Sequence, residues 1–269
     1  MTGGFNSSGF EDEAPILMAN LSCTDSPMVP RLPNALSAQL FLSAAPRRLQ
    51  ADEALFVAGD PGDGCYRLEQ GLLKVVITSP QGYERILAML GPGAIVGELA
   101  MIDGLPRSSS IFAVKDCELS FISREAFEGC TKQHPEVYRY LANVLASRLR
   151  GTDEAVAAVS FLTIRERLAR ALIDLGELLG EADDAGRLVI HHKINQSDLA
   201  ALAGVARENV SRVMSEWKRR RVVTRSKGYY CLNAVDTLKR DLHAGRRSGS
   251  MSSSRDVDRR AQRGSARIT

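Results

Sequence analysis

Residues 97–110, which decide the fold, read GELAMIDGLPRSSS. Glu98 lies in a run that is otherwise apolar, and Arg107 follows nine residues later beside three serines. A half-buried strand does not need this arrangement, because its residues simply alternate between a buried and an exposed side. The stretch therefore indicates a set of polar side chains that bind a partner.

The bulk composition is that of a globular protein with one large domain or two ordinary ones plus tails. The chain has 269 residues, of which 44% are hydrophobic and 25% charged. Since no apolar run approaches the roughly 20 residues of a membrane helix and the N-terminus lacks the pattern of a secretory signal, we expect a cytoplasmic protein without a membrane partner.

Cysteine and histidine spacing gives no sign of a disulfide framework or a metal site. No two of the five cysteines form a CxxC pair, and the odd count argues against disulfides. His191 and His192 are adjacent, so on a strand they would face opposite ways. We expect reduced thiols, no metal and no tightly bound cofactor.

The net charge of +3 conceals an acidic front half and a basic back half. Residues 1–135 carry 10 Lys/Arg against 16 Asp/Glu, a net of −6, whereas residues 191–231 carry 9 against 3, a net of +6. This asymmetry predicts that the back half binds a polyanion.

Hydrophobic periodicity changes once along the chain. Between about residues 45 and 125, short β-type runs alternate with glycine turns, which predicts an antiparallel sandwich or barrel. Asp63-Gly64 and Gln81-Gly82 fit hairpin turns. Residues 1–30 and 244–269 are low in complexity, and we expect both to be disordered.

A helix is predicted from about residue 135. Seven residues spaced alternately by four and three form a heptad seam: Leu141, Leu145, Arg148, Thr152, Ala155, Val159 and Leu162. A lone helix must bury such a seam, and a twin helix in a homodimer is the simplest partner. A second helix is predicted over TIRERLARALIDLGELLGE, followed by a short strand in RLVIHHKI.

The segment SDLAALAGVARENVSRVMSEWKRR predicts a helix-turn-helix. Ser197 or Asp198 can cap the first helix, Gly204 makes the turn, and the second helix runs from Ala206 to Arg219. VVTRSKGYYCL then predicts a hairpin wing with Lys227-Gly228 at its tip.

The second helix has the chemistry of a major-groove reader. Arg207, Glu208, Ser211 and Arg212 share one side, while Val210, Val213 and Trp217 lie on the other. Arginine bonds guanine edges and glutamate accepts from cytosine. Further cations predict phosphate contacts: Lys218, Arg219, Arg220, Arg221, Arg225 and Lys227.

In this order, GELA…PRSS, the seam helix and ARENVSR resemble the cAMP receptor protein and fumarate–nitrate regulator superfamily of bacterial transcription factors. The resemblance covers about residues 35–235. It implies an α+β fold divided into an N-terminal antiparallel β-roll of the cyclic-nucleotide-binding type (31–134), a long dimerisation helix (135–163) and a C-terminal winged helix-turn-helix (164–243).

The resemblance also implies roles for the opening residues. In nucleotide-binding members the Glu of GEL accepts from the ribose 2′-hydroxyl and the Arg of the PRS motif pairs with the cyclic phosphate, which gives these roles to Glu98 and Arg107. Ser108 adds a hydroxyl donor, and Gly97 and Leu99 present backbone groups. Two alternatives stay open: a structural Glu98–Arg107 ion pair, or a vestigial pocket in an effector-independent or redox-responsive regulator.

On the seam helix, the resemblance implies that Thr152 contacts the base and Arg148 lies near the sugar-phosphate. The neighbouring residue is Asp153, where the family prototype has Ser. A carboxylate can accept from the adenine amino group or from guanine N1–H and N2–H. We therefore expect cAMP as the allosteric effector, with cGMP as the alternative.

For DNA, the resemblance assigns base reading to Arg207, Glu208 and Arg212, with Gln196, Ser211, Lys218 and Lys227 as further contacts. It implies a palindromic operator with TGTGA-like half-sites, homodimeric binding and contact with RNA polymerase. The sequence contains no pairing of nucleophile and base, no metal spacing and no phosphate loop, so an enzyme is not expected.

Overall fold

The computed structural model describes residues 40–242, except residues 43 and 184. The predictions of disorder for residues 1–30 and 244–269 lie outside these described residues. Within them, two sheets and six labelled helices form two units that α3, defined below, connects.

The N-terminal unit is an antiparallel β-roll, as the family resemblance implies, and its strands are antiparallel, as the alternating runs predict. Its strands pair in the order β1-β6-β3-β4, with β2 on β6 and β5 on β3. Leu68, Leu73, Ala113 and Leu119 fill its interior. The strands are β1 (Ala45–Leu49), β2 (Ala54–Phe56), β3 (Gly64–Thr78), β4 (Glu84–Leu90), β5 (Ile95–Val96) and β6 (Ser110–Ser123).

Two details of the roll differ from the sequence prediction. Asp63-Gly64 is not a hairpin turn, because Gly64 begins β3 and the strand runs on through Gly71, where φ is +111° and the pairing register shifts. The turn at Gln81-Gly82 is confirmed, since it joins β3 to β4 with Gly82 at φ +83°.

A short helix that the sequence reading did not predict, α1 (Glu98–Asp103), occupies the GELAMID stretch. The helix begins after Gly97, whose φ of +82° suits glycine. Six residues are too few to show a helical period, which is why the pattern was not visible. After β6, α2 (Arg124–Gln133) packs under the start of α3 (Glu136–Phe161), with Phe127, Val137 and Leu141 buried between them.

The long helix α3 is confirmed, but its exposed apolar stripe is not the predicted seam. Leu141 is buried against the roll and Arg148 turns inward to Glu98. Three exposed aliphatic residues lie along α3 instead, Leu149, Val156 and Val159, at 63%, 61% and 50% exposure, and of these only Val159 belongs to the predicted seam. Together with Thr152 they are spaced three, four and three residues apart. The exposed stripe is therefore rotated relative to the predicted seam, because Arg148 turns inward to form an ion pair.

The C-terminal unit, residues 164–242, contains a four-stranded antiparallel sheet in the order β7-β8-β10-β9. Trp217 is fully buried at its core together with Leu172 and Leu199. The elements are α4 (Ile164–Leu179), β7 (Gly180–Ala182), β8 (Leu188–Ile190), α5 (Gln196–Ala203), α6 (Arg207–Arg219), β9 (Val223–Ser226) and β10 (Tyr229–Leu232). Residues 235–242 are also helical.

Capping residues set the helix starts in this unit. Thr163 accepts from the Glu166 backbone and the Glu166 carboxylate accepts from the Thr163 backbone, a capping box that begins α4. The cap of α5 is Asn195, which forms a second capping box with Asp198, so the predicted caps Ser197 and Asp198 were wrong. Gly180, predicted as helical, begins β7.

Candidate functional site: a buried carboxylate and guanidinium, and an exposed basic helix

Glu98 is the first residue of α1, and its carboxylate is almost completely buried, at 1% exposure. One oxygen, Oε1, accepts from Nη1 of Arg148 on α3, and Nη2 of Arg148 donates to the Ile95 carbonyl. The other oxygen, Oε2, is buried and has no hydrogen-bond partner among the described residues. Because an unpaired buried acceptor is costly, Oε2 suits a hydroxyl donor.

Arg107 is equally enclosed, at 4% exposure. Nη1 donates to the carbonyls of Gly64 at 2.9 Å and Gly97 at 2.8 Å, and Nη2 donates to Asp63 Oδ1 at 3.2 Å. The guanidinium carbon lies 4.3 Å from the ring centroid of Phe56. A fixed, flat guanidinium of this kind suits a phosphate or carboxylate ligand.

Gly97 is the residue that lets Arg107 reach this position. A Cβ at residue 97 would lie 2.4 Å from Arg107 Nη1, well inside van der Waals contact. The backbone of Arg107 is held as well, since its N–H donates to Asp60 O at 2.9 Å and its carbonyl accepts from Gly59 N at 2.9 Å. The glycine of GEL and the loop before β3 therefore fix one side chain together.

The alternative of a direct Glu98–Arg107 ion pair does not describe the site. Glu98 pairs with Arg148 and Arg107 pairs with Asp63, so each acid has a separate base. Sequence reasoning missed Asp63 and Phe56 as partners of Arg107, because both belong to a run that was interpreted only as strand and turn.

The Cys65 thiol lies beside these groups on β3. Burial, together with the nearby charge of Glu98, raises the pKa of Cys65 to about 12, although the charge of Arg107 opposes the shift. The thiol therefore stays protonated at neutral pH and packs as an apolar side chain. Among the described residues, Cys65, Cys117, Cys130 and Cys231 are free thiols, and Cys23 lies outside them.

The other residues predicted to hold a ligand lie around this centre with less burial. Ser108 is exposed next to Arg107, and the Leu99 side chain is 41% exposed. Ser110, by contrast, is buried and its hydroxyl accepts from Ala58 N at 3.0 Å, which ties two loops together. Thr152 and Asp153 are exposed on α3, one turn beyond Arg148, and Thr152 Oγ1 donates to Arg148 O at 3.0 Å.

The predicted base-reading residues all lie on the exposed side of α6. Arg207, Glu208, Ser211 and Arg212 are exposed, whereas Val210, Met214 and Trp217 are buried against the C-terminal core. Val213, which was predicted to be buried, is only partly so, and Met214 takes that place.

The remaining predicted DNA contacts flank α6. Lys218 is exposed near its end, and Lys227 lies at the tip of the β9–β10 hairpin with φ +50°. Gln196 is half-buried at the start of α5. One face thus combines a reading helix, a basic helix end and a wing.

A polar network holds α6 against the start of α4. Arg165, two residues after the cap Thr163, forms ion pairs with Glu216 and with Asp241, the latter at 3.1 Å. Asp241 also accepts from Trp217 Nε1 at 2.9 Å. These contacts link the beginning of α4 to the end of α6.

Two features are absent from residues 40–242, residues 43 and 184 apart. No helix there is both long and apolar enough to cross a membrane. No group of three or more His, Cys, Asp or Glu side chains in that part of the chain could hold a metal ion.

Two family models match the chain, one for each unit. Residues 46–134 match the cyclic nucleotide-binding domain, and residues 166–241 match the Crp-like helix-turn-helix domain. The arrangement is that of a transcription regulator with a domain for cyclic nucleotides and a domain for DNA.

Curated relatives support the assignment to a transcription regulator. The chain is 30% identical over 188 residues to a CRP-like cAMP-activated global transcriptional regulator of Mycobacterium tuberculosis, covering 70% of this chain and 83% of that protein. It is 39% identical over 176 residues to the cyclic AMP receptor protein of Thermus thermophilus, covering 65% and 78%. A crystal structure of a CRP/FNR family regulator from T. thermophilus superposes with a TM-score of 0.64 at 25% identity, covering 75% of this chain and 100% of that one.

The chain belongs to the CRP/FNR family of transcription regulators and is not an enzyme.

The Glu98–Arg148 ion pair generates a stability prediction. We expect Arg148→Ala to lower the free energy of unfolding by about 3 kcal/mol, because it leaves a buried carboxylate without its partner. Glu98→Gln combined with Arg148→Ala should recover much of that loss, since the charge is then removed. Urea denaturation of the three proteins measures both effects, and a double variant as unstable as Arg148→Ala would contradict the assignment.

Proposed function

We propose that this regulator is a homodimer that binds a cyclic nucleotide, with cAMP as the preferred effector, and reads a palindromic DNA operator in response. The observation that carries the proposal is that one buried site contains both a carboxylate oxygen of Glu98 without a partner and the guanidinium of Arg107. A cyclic nucleotide presents a hydroxyl and a phosphate side by side. The hydroxyl would supply the partner that Glu98 lacks, and the phosphate could replace Asp63 as the partner of Arg107.

The residues of the site divide the ligand among them. Glu98 would accept from the ribose hydroxyl through Oε2, and Arg107 would pair with the phosphate through Nη2, in place of Asp63. Gly97 and Leu99 contribute backbone groups and Ser108 a hydroxyl. Asp63 is 73% exposed, so its side chain can turn to solvent at small cost when an anion arrives.

The base would meet α3, where Arg148, Thr152 and Asp153 follow one another along the helix. Asp153 accepts hydrogen bonds only, so it can serve the adenine amino group or the guanine N1–H and N2–H pair. The curated relatives named above are cAMP proteins, and this supports cAMP over cGMP.

The arginine contacts favour a second candidate, an effector-independent or redox-responsive regulator. Arg148 already neutralises Glu98, and Asp63 already pairs with Arg107, so the site is electrostatically balanced without a ligand. A titration distinguishes the two functions.

Calorimetric titration with cAMP and, separately, with cGMP tests the effector. We expect saturable binding of cAMP and weaker binding of cGMP. Arg107→Ala should weaken cAMP binding by about 100-fold or more, because breaking a buried charge pair costs roughly 2–5 kcal/mol. Ser108→Ala, a neighbouring change that keeps the guanidinium, should have a smaller effect. Full affinity in Arg107→Ala, or heat from neither nucleotide, would exclude nucleotide control through this site.

Homodimerisation through α3 is supported by the stripe of Leu149, Thr152, Val156 and Val159. Three exposed aliphatic residues at heptad spacing on one helix are typical of a coiled-coil seam. The stripe lies beside Asp153, so a ligand at the base position would lie close to the partner helix. This proximity gives nucleotide binding a route to the arrangement of the two DNA-reading helices.

We expect Val156→Glu to dissociate the dimer, because it places a charge in the middle of the apolar stripe. Ala157→Glu is the matched control, since residue 157 is exposed but lies off the stripe. Analytical ultracentrifugation should show a monomer for the first variant and a dimer for the second. Dimers of equal stability would locate the interface elsewhere.

The exposed face of α6 supports DNA reading. Arg207, Glu208 and Arg212 are free to meet base edges, with Ser211 beside them, while Gln196, Lys218 and Lys227 lie at the margins and suit phosphates. The operator we propose is a palindrome of TGTGA-like half-sites about one helical turn, roughly 34 Å, apart. RNA polymerase is the further protein partner, and the cytoplasm, where chromosomal DNA lies, is where we expect the regulator to act.

Gel-shift titration on such a palindrome separates base reading from phosphate binding. We expect Arg212→Ala to lower affinity for the palindrome by roughly 10- to 100-fold and to leave binding to unrelated DNA nearly unchanged, since a base contact is worth about 1–3 kcal/mol. Lys218→Ala should instead weaken binding to both DNAs and reduce the salt dependence. Equal losses on both DNAs for Arg212→Ala would make it a phosphate contact.

A further inference from the structure

Strand β4 lies at the edge of the roll, next to β3, and contacts the C-terminal unit of the same chain. Leu90 is buried in the interior of the roll, whereas Arg85 and Met89 are only partly buried. Lys74 of β3 pairs in register with Met89. We call Lys74, Arg85 and Met89, which all contact the C-terminal unit, the outer face.

Three contacts join the outer face to the C-terminal unit. Met89 packs against the apolar core that surrounds Trp217. Lys74 Nζ lies 3.8 Å from Oδ1 of Asp198, the residue that also completes the capping box of α5. The Arg85 guanidinium lies against Gly204, the turn between α5 and α6, so closely that a Cβ at Gly204 would be 1.2 Å from Nη1.

A fourth contact on this face is repulsive. Arg167 of α4 donates through Nη1 to the Gly204 carbonyl at 3.0 Å, which brings its charge to the place where Arg85 lies. Burial and the charge of Arg167 both lower the pKa of Arg85. Among the described residues, neither guanidinium has an acidic partner. Two like charges thus meet, half-buried, at the helix-turn-helix turn.

We propose that the outer face is a reversible latch for the DNA-reading unit, with Arg85 as the residue that keeps it weak. Met89 and the Lys74–Asp198 pair hold the unit against the roll, while Arg85 and Arg167 push it away. A contact of mixed sign and modest strength has two positions of similar free energy, which is what a ligand needs in order to shift it.

The regulatory meaning of the latch rests on the proposed function, whereas its existence does not. If a nucleotide binds the roll, it can shift the equilibrium between the C-terminal unit held against the roll and the unit released from it. If none binds, the latch still sets how freely the reading helix is presented. The experiment therefore measures the latch in the ligand-free protein first.

Amide hydrogen exchange over residues 196–205 of the full-length protein tests the latch, using two substitutions on the same strand. Met89→Asp removes the apolar contact, and we expect faster exchange. Arg85→Glu places a carboxylate beside Arg167 and should slow exchange by about threefold to fivefold, the range for partly exposed ion pairs. Arg47→Glu makes the same charge change on an exposed residue of β1 and should leave exchange unchanged.

Opposite directions for Met89→Asp and Arg85→Glu support the latch, because simple damage to the roll would speed exchange in both. Faster exchange in both variants, or no change in either, overturns it. Repeating the measurement with saturating cAMP adds the regulatory test, in which cAMP should change the exchange of the wild-type protein and have less effect in Arg85→Glu. Failure of cAMP to bind at all would concern the proposed function and would leave the ligand-free result standing.

Discussion

The ion pair between Glu98 and Arg148 is the contact on which the geometry of the sensing site depends. It joins residues fifty positions apart in the chain, one on the short helix α1 and one on the long helix α3. A carboxylate buried to this degree is stable as an anion only with a partner, so the pair fixes α3 against the roll. It also fixes the rotation of α3, since an inward Arg148 forces its neighbour Leu149 outward into the exposed stripe.

From α3, two routes lead to the reading helix α6. One follows the chain through the capping box at Thr163 and the Arg165 ion pairs to Glu216 and Asp241, which join the start of α4 to the end of α6. The other passes through space from strand β4 to Gly204. Because the C-terminal unit is held at both places, a displacement of α3 alone cannot carry α6 with it unless the contact at β4 also adjusts.

The sequence predicted the elements whose signals are local. Strand alternation, the glycine turn and the exposed side of α6 follow from short-range periodicity, and the two motifs led to the correct family. The partners of the charged residues could not be predicted in the same way. Asp63 lies 44 residues from Arg107, and spacing along a chain says nothing of contacts made by folding back.

The position of Arg148 was predicted wrongly, because the heptad spacing placed it on the seam. It fits the heptad spacing of the predicted seam and also the inward ion pair, and the sequence alone does not decide between them. Burial decides, because Glu98 has to be neutralised, whereas an arginine at a dimer seam would itself need a partner. Once Arg148 turns inward, the exposed stripe consists of Leu149, Thr152, Val156 and Val159, of which only Thr152 and Val159 belong to the predicted seam.

The two halves of the pocket differ in what a ligand would have to displace. At Arg107, the carbonyls of Gly64 and Gly97 are fixed by the backbone and only the exposed Asp63 can leave, so an anion would bind at Nη2 and at Nε, which is buried without a partner among the described residues. At Glu98, the oxygen that is not bonded to Arg148 is already without a partner, so a hydroxyl could be accepted there while the ion pair stays intact. A ligand that satisfies both groups would therefore fill the site without releasing α3. Its effect on the helix would have to come from the atoms that extend beyond the pocket toward Thr152 and Asp153, which is where the identity of the base and the second subunit would meet.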